Sequence, residues 1–70
     1  MDTWNKLIEI NPEIRFGKPT IIGTRITVAD ILSWLASGIN NEAILEDFPE
    51  LTNESILAAL SFAVNKKYLN

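Results

Sequence analysis

The sequence contains no cysteine and no histidine. Disulfides, ordinary Cys/His zinc sites, thiolate nucleophiles and imidazole bases are therefore all excluded. A non-enzymatic protein without a cofactor is expected, because the commonest general base and the most reactive nucleophile are both missing. Basic charge is also scarce: six Lys and Arg against nine Asp and Glu leave a net charge of −3. That balance disfavours strong unspecific binding to nucleic acid, whose affinity grows with Lys and Arg contacts to phosphate. No apolar run approaches the roughly 20 residues of a membrane span, and the N-terminus lacks the basic-then-apolar pattern of a signal peptide. A cytoplasmic location is expected.

What is present is the composition of a small folding domain. Seventy residues allow one core, and 47% hydrophobic with 21% charged residues lies in the globular range. A single domain over 1–70 is expected, with a β arm over 1–27 and a tri-helical body over 28–70. At this size burial alone supplies only about 3–5 kcal/mol, and the common supplements are staples, regular helices or a partner chain. With staples excluded, a homodimer is expected.

The charge is segregated. Between Ile14 and Thr27 the charged residues are Arg15, Lys18 and Arg25, giving +3. Between Val28 and Glu54 they are Asp30, Glu42, Glu46, Asp47, Glu50 and Glu54, giving −6. A symmetric self-pairing would bring the basic arm over the acidic body, although segregated charges are also what solvated faces look like.

The arm reads as turns and very short strands. Ile8 and Ile10 alternate with Leu7 and Glu9, Asn11-Pro12 opens a turn, and Gly17 and Pro19 precede the β-branched run Thr20-Ile21-Ile22. Gly23-Thr24 breaks that run before Arg25-Ile26-Thr27. Strands this short need a pairing partner, from the same chain or another copy.

Three helices follow. Thr27 with Asp30 three positions on marks the first N-terminus, the apolar spacing of Val28, Ile31, Leu32 and Leu35 carries the helix to about Ser37, and Gly38 ends it. Asn40 caps a second, short helix with Ile44, Leu45 and Phe48 on one face, stopped by Pro49. Leu51 before Thr52, with Ile56 four positions after, has the spacing of a hydrophobic staple that opens the third helix. Its core stripe is expected to be Ile56, Leu57, Leu60, Ala63 and Val64, which leaves Phe62 on another side. Trp34 likewise projects from the side of Asp30 and Ser37. Both aromatics then stand off the core, as scattered surface residues or as partner contacts.

The second and third helices have the proportions of a helix-turn-helix. The outward residues at the start of the third are Asn53, Glu54 and Ser55, with no Lys or Arg before Lys66, which is poor equipment for base readout. Packing without DNA contact is favoured; in the DNA-binding alternative Asn53 and Ser55 read bases while Arg15, Lys18 and Arg25 hold phosphate. Neither the phosphate-loop nor the dinucleotide fingerprint is present. Glu42 and Glu46 share a helix face, but with no further ligand nearby no metal is expected.

The string Asn11-Pro12-Glu13-Ile14-Arg15-Phe16-Gly17-Lys18-Pro19, followed by Ile22-Gly23-Thr24-Arg25-Ile26-Thr27-Val28, closely resembles the signature of domain-of-unknown-function family 433. Trp34-Leu35-Ala36-Ser37-Gly38 and the stretch Ile44 to Thr52 extend the resemblance, which covers about Ile8 to Ala63. It implies a mainly α, homeodomain-like helix-turn-helix domain with a short N-terminal β arm. It further implies a VapB-type antitoxin that neutralises a PIN-like ribonuclease toxin and binds operator DNA weakly. No long toxin-wrapping tail is expected, since the sequence ends soon after the third helix. The partner-binding candidates are Trp34, Glu46, Asp47, Glu50 and Phe62, because a ribonuclease surface that binds RNA should be basic. The alternative is a stand-alone DNA-binding transcriptional regulator.

Overall fold

The computed structural model describes residues 4–65. A single helical turn, α1 (Trp4–Leu7), leads into β1 (Ile8–Glu9), which pairs antiparallel with β2 (Thr20–Ile21) in the register Ile8↔Ile21 and Glu9↔Thr20. The sheet partner that these short strands require is thus supplied within the chain. A bridge between Thr20 and Thr27 and the bond from the Ile21 N–H to the Ile26 carbonyl (2.9 Å) tie the end of the arm to the same edge. Ile21 and Ile26 are core residues, so the arm is built into the domain. The α1 turn was not foreseen: the sequence there reads as strand.

Between the strands the chain makes two turns. Asn11 opens the first as expected, its side chain accepting the Glu13 N–H at 2.9 Å. The second runs through Arg15, Phe16 and Gly17 at φ of 50°, 60° and 80°. Consecutive left-handed residues are costly for L side chains with a Cβ. Here the Gly17 N–H to Ile14 carbonyl bond and the Arg15 side chain hold them. The turn leaves Phe16 95% exposed.

The helices start where their caps place them. In α2 (Val28–Ala36) Thr27 and Asp30 form a complete capping box: Thr27 Oγ1 accepts the Asp30 N–H at 2.8 Å, and Asp30 Oδ2 accepts the Thr27 N–H at 3.1 Å. The helix ends in a Schellman arrangement. Gly38, at φ 98°, donates to the Leu35 carbonyl, and the Ile39 N–H reaches back to the Trp34 carbonyl. Asn40 caps α3 (Asn41–Asp47) by accepting the Ala43 N–H at 2.9 Å. For α4 (Asn53–Asn65), Thr52 Oγ1 accepts the Ser55 N–H and Ser55 Oγ accepts the Thr52 N–H. Leu51 and Ile56, the expected staple pair, are both buried in the core.

The core gathers Ile21 and Ile26 from the arm, Val28 and Ile31 from α2, Ile44 from α3, Leu51, and Ile56, Ala59 and Phe62 from α4. The inward face of α4 is therefore not the expected one. Ser55, Ile56, Ala58, Ala59 and Phe62 are buried, whereas Leu57, Leu60 and Val64 are 59%, 38% and 81% exposed. Both α1 and α2 pack on α4. Small side chains at 55, 58 and 59 let those elements approach its backbone, and Phe62 fills the remaining space. The fold is mainly α, with a two-stranded antiparallel sheet at its N-terminal side.

Candidate partner-binding site

The turn that closes α2 also builds a cleft. A Schellman ending brings the residue three from the helix end against the second residue beyond it, here Trp34 and Ile39. These two, with Ile44, Asp47 and Phe48, line an open cleft of about 180 Å³. The Trp34 and Phe48 rings stack nearly parallel, centroids 4.7 Å apart and 8° between planes. Trp34 is half-buried, packed at the margin of the core. Its expected off-core position is in fact the wall of the cleft.

The stretch of chain that forms this floor is acidic. Asp47 lies in the wall, and Glu46, Asp47 and Glu50 are all exposed on the last turn of α3 and in the segment that follows. Trp34 and Asp47 line the cleft, and Glu46 and Glu50 are exposed near Asp47 in the chain and so reach the surface. Phe62 does not: at 2% exposure it is a core residue, because the packing of α1 and α2 turns its face of α4 inward. It offers no contact to a partner.

The residues of the DNA-binding alternative are divided. Lys18, Arg25 and Asn53 are exposed. Ser55 is buried and occupied in capping α4, so it presents nothing to a base edge. Arg15 is turned back onto its own chain, with Nη1 donating to the Arg25 carbonyl at 2.8 Å and to Asp30 Oδ2 at 3.2 Å. That ion pair locks the left-handed turn onto the start of α2. Nothing local signals it, since the partners are separated by 15 positions.

Asp30 is the titratable group that this arrangement perturbs. Partial burial works to raise its pKa, but the Thr27 N–H and hydroxyl and the Arg15 guanidinium favour the carboxylate and hold the net value below the ordinary 3.8. A folded-state pKa below the unfolded one contributes stability that is fully present above pH 3.8 and is lost as the pH falls through the folded value. Urea midpoints measured between about pH 2 and 6 should show this loss, and Asp30→Asn should flatten it. An identical acid limb in the variant would show that Asp30 contributes nothing to it.

Among the described residues no group of three or more Cys, His, Asp or Glu side chains is placed to hold a metal ion. No helix among them is long and apolar enough to cross a membrane.

Residues 8–63 match the family described as "Protein of unknown function (DUF433)". The chain belongs to the DUF433 family. A curated relative, the uncharacterized protein y4eO of Sinorhizobium fredii, is 34% identical over 58 residues, which is 83% of this chain and 26% of that protein. A solved DUF433 member from Anabaena variabilis is 27% identical and superimposes with a TM-score of 0.84 over 89% of this chain and 61% of its own. The chain therefore spans about a quarter of the one relative and three fifths of the other. The DUF433 region takes in the sheet, the left-handed turn, the cleft and most of α4.

Proposed function

We propose that this DUF433 chain is a non-catalytic, antitoxin-like protein that binds and covers a PIN-like ribonuclease toxin. The observation that supports this reading is the cleft of Trp34, Ile39, Ile44 and Phe48 with the Asp47 carboxylate in its wall, in a stretch of chain where Glu46 and Glu50 are also exposed. Apolar area that is already held rigid, bordered by one sign of charge, suits a protein surface of the opposite sign. A ribonuclease surface that grips RNA is such a surface. The resemblance of Asn11–Pro19 and Ile22–Val28 to the family signature supplies the class of partner. Operator binding is a lesser role within the same proposal, left to Lys18, Arg25 and Asn53.

The test is co-expression of the tagged chain with the product of the adjacent open reading frame, purified at high salt, beside a gel shift with the upstream DNA. Retention of that product through the wash is the expected result, because contact through an apolar cleft resists salt that would strip phosphate contacts. A sequence-specific shift with no co-purifying protein would overturn the proposal in favour of a stand-alone helix-turn-helix regulator.

A further inference from the structure

Phe16 stands at φ 60° and ψ 32° and is 95% exposed, so a left-handed position carries a large apolar ring that its own chain leaves in solvent. Glycine or asparagine there would relieve the backbone, and a polar side chain would suit the water. The turn is nevertheless fixed, by Arg15 bonding both the Arg25 carbonyl and Asp30. Strain maintained at an exposed site points to a use for the residue that bears it. The same ion pair locates that residue. Asp30 and Trp34, four apart, share a face of α2. Arg15 therefore seats the turn against the N-terminal end of the face whose C-terminal end carries the cleft. The nine residues of α2 span about 13 Å, and its exposed positions Ala29, Ser33 and Ala36 are small. Charge differs between the two ends. Lys18 and Arg25 are exposed close to the turn, and Glu13 is the one carboxylate between Asn11 and Thr27. At the cleft Asp47 lies in the wall, and every charged residue from Asn40 to Glu54 is acidic.

We propose that the cleft of the free chain is filled by Phe16 of a second copy, reciprocally, in a two-fold dimer with the two α2 helices antiparallel. The cleft has the room: an apolar cavity of about 150 Å³ takes a benzene ring, and this one is about 180 Å³. The entering ring packs on Trp34 and Phe48, which are already stacked on each other. Knob and cleft stand at opposite ends of one face, so a two-fold axis beside the middle of α2 brings each knob to the other copy's cleft and closes the assembly. The small residues of α2 let the two helices approach. A parallel pairing would set knob against knob. With each Phe16 come Lys18 and Arg25, whose charge complements Asp47. This contact does not rest on the toxin reading. It adds to it that a partner entering the cleft must displace Phe16, so self-association and partner binding compete.

Sedimentation equilibrium of the chain across the micromolar range is expected to give the dimer mass. Phe16→Asn removes the ring and suits the left-handed backbone, so it should fold as well as the unmodified chain by circular dichroism while associating about 30-fold or more weakly. Ile39→Asn, at an exposed position of the cleft wall, should weaken association similarly. An equimolar mixture of these two variants should associate more tightly than either alone, because Phe16 of one still fits the cleft of the other. Lys18→Glu/Arg25→Glu should weaken the dimer by about tenfold, and adding Asp47→Lys should recover part of that loss. Phe16→Asn should still co-purify the adjacent gene product, which separates this contact from the toxin reading. A monomer mass for the unmodified chain throughout the range would overturn the proposal, as would an undiminished dimer in Phe16→Asn or a mixture no tighter than its components. Loss of the adjacent gene product, or of a nucleic-acid shift, in a Phe16→Asn variant of an otherwise monomeric chain would assign the ring to that partner and overturn it as well.

Discussion

Replacing Phe62 by alanine is expected to lower stability by about 3–5 kcal/mol, the range for truncating a buried aromatic. The side chain is 2% exposed and closes the core between α4 and the elements packed on it, so its removal leaves a cavity that those short elements cannot collapse to fill. A chain of this length holds only about 3.5–10 kcal/mol in total. The variant should therefore be largely unfolded or melt at a much lower temperature. Urea denaturation followed by circular dichroism measures the difference. A loss below about 1 kcal/mol would mean that Phe62 lies on the surface, where the periodicity of the sequence places it.

Trp34→Ala should have the largest effect on partner binding. The ring stacks on Phe48 and forms one wall of the cleft, so the substitution removes the aromatic surface and frees Phe48 from its stack. A rigid aromatic at the centre of a contact is worth about 2 kcal/mol or more, equivalent to a loss of about 30-fold in affinity. Trp34→Phe, which retains a ring against Phe48, should recover part of that loss. Asp47→Lys acts differently: a charge at the edge of a contact chiefly changes the association rate and its dependence on salt. Titration calorimetry with the co-purified partner measures these effects, and a melting curve confirms that each variant is folded. Unchanged affinity in folded Trp34→Ala would remove the cleft from the contact.

The two variants test different kinds of inference. Trp34 and Phe62 look alike in the sequence, each a large aromatic displaced from the stripe of Leu, Ile and Val on its helix. The structure separates them. Trp34 lies at the margin because α2 ends one turn later, and the Schellman turn folds Ile39 back beside it to open a cleft. Phe62 lies inside because α4 is apolar on both faces, and the face that combines Ile56 and Phe62 with the small Ser55, Ala58 and Ala59 is the one that neighbours can approach closely. Counting large aliphatics selects the opposite face. The same reversal moves Ser55 from a base-reading position to a buried cap, and places Leu57, Leu60 and Val64 in solvent.

The sequence by itself determined what depends on near neighbours in the chain. The absence of Cys and His removed whole classes of chemistry. The helix boundaries followed from Thr27 with Asp30, Gly38, Asn40, Pro49 and the Leu51–Ile56 staple, because each cap is a bond or contact among residues at most five apart. The family was legible in the string from Asn11 to Val28. Only the tertiary structure decided the pairing of β1 with β2 in the same chain, the Arg15–Asp30 lock, the Trp34–Phe48 stack and the face that α4 turns inward. Helical periodicity says which side chains share a face. Which of two apolar faces is buried depends on the size of the side chains that adjoining elements must approach, and those elements come from distant parts of the chain.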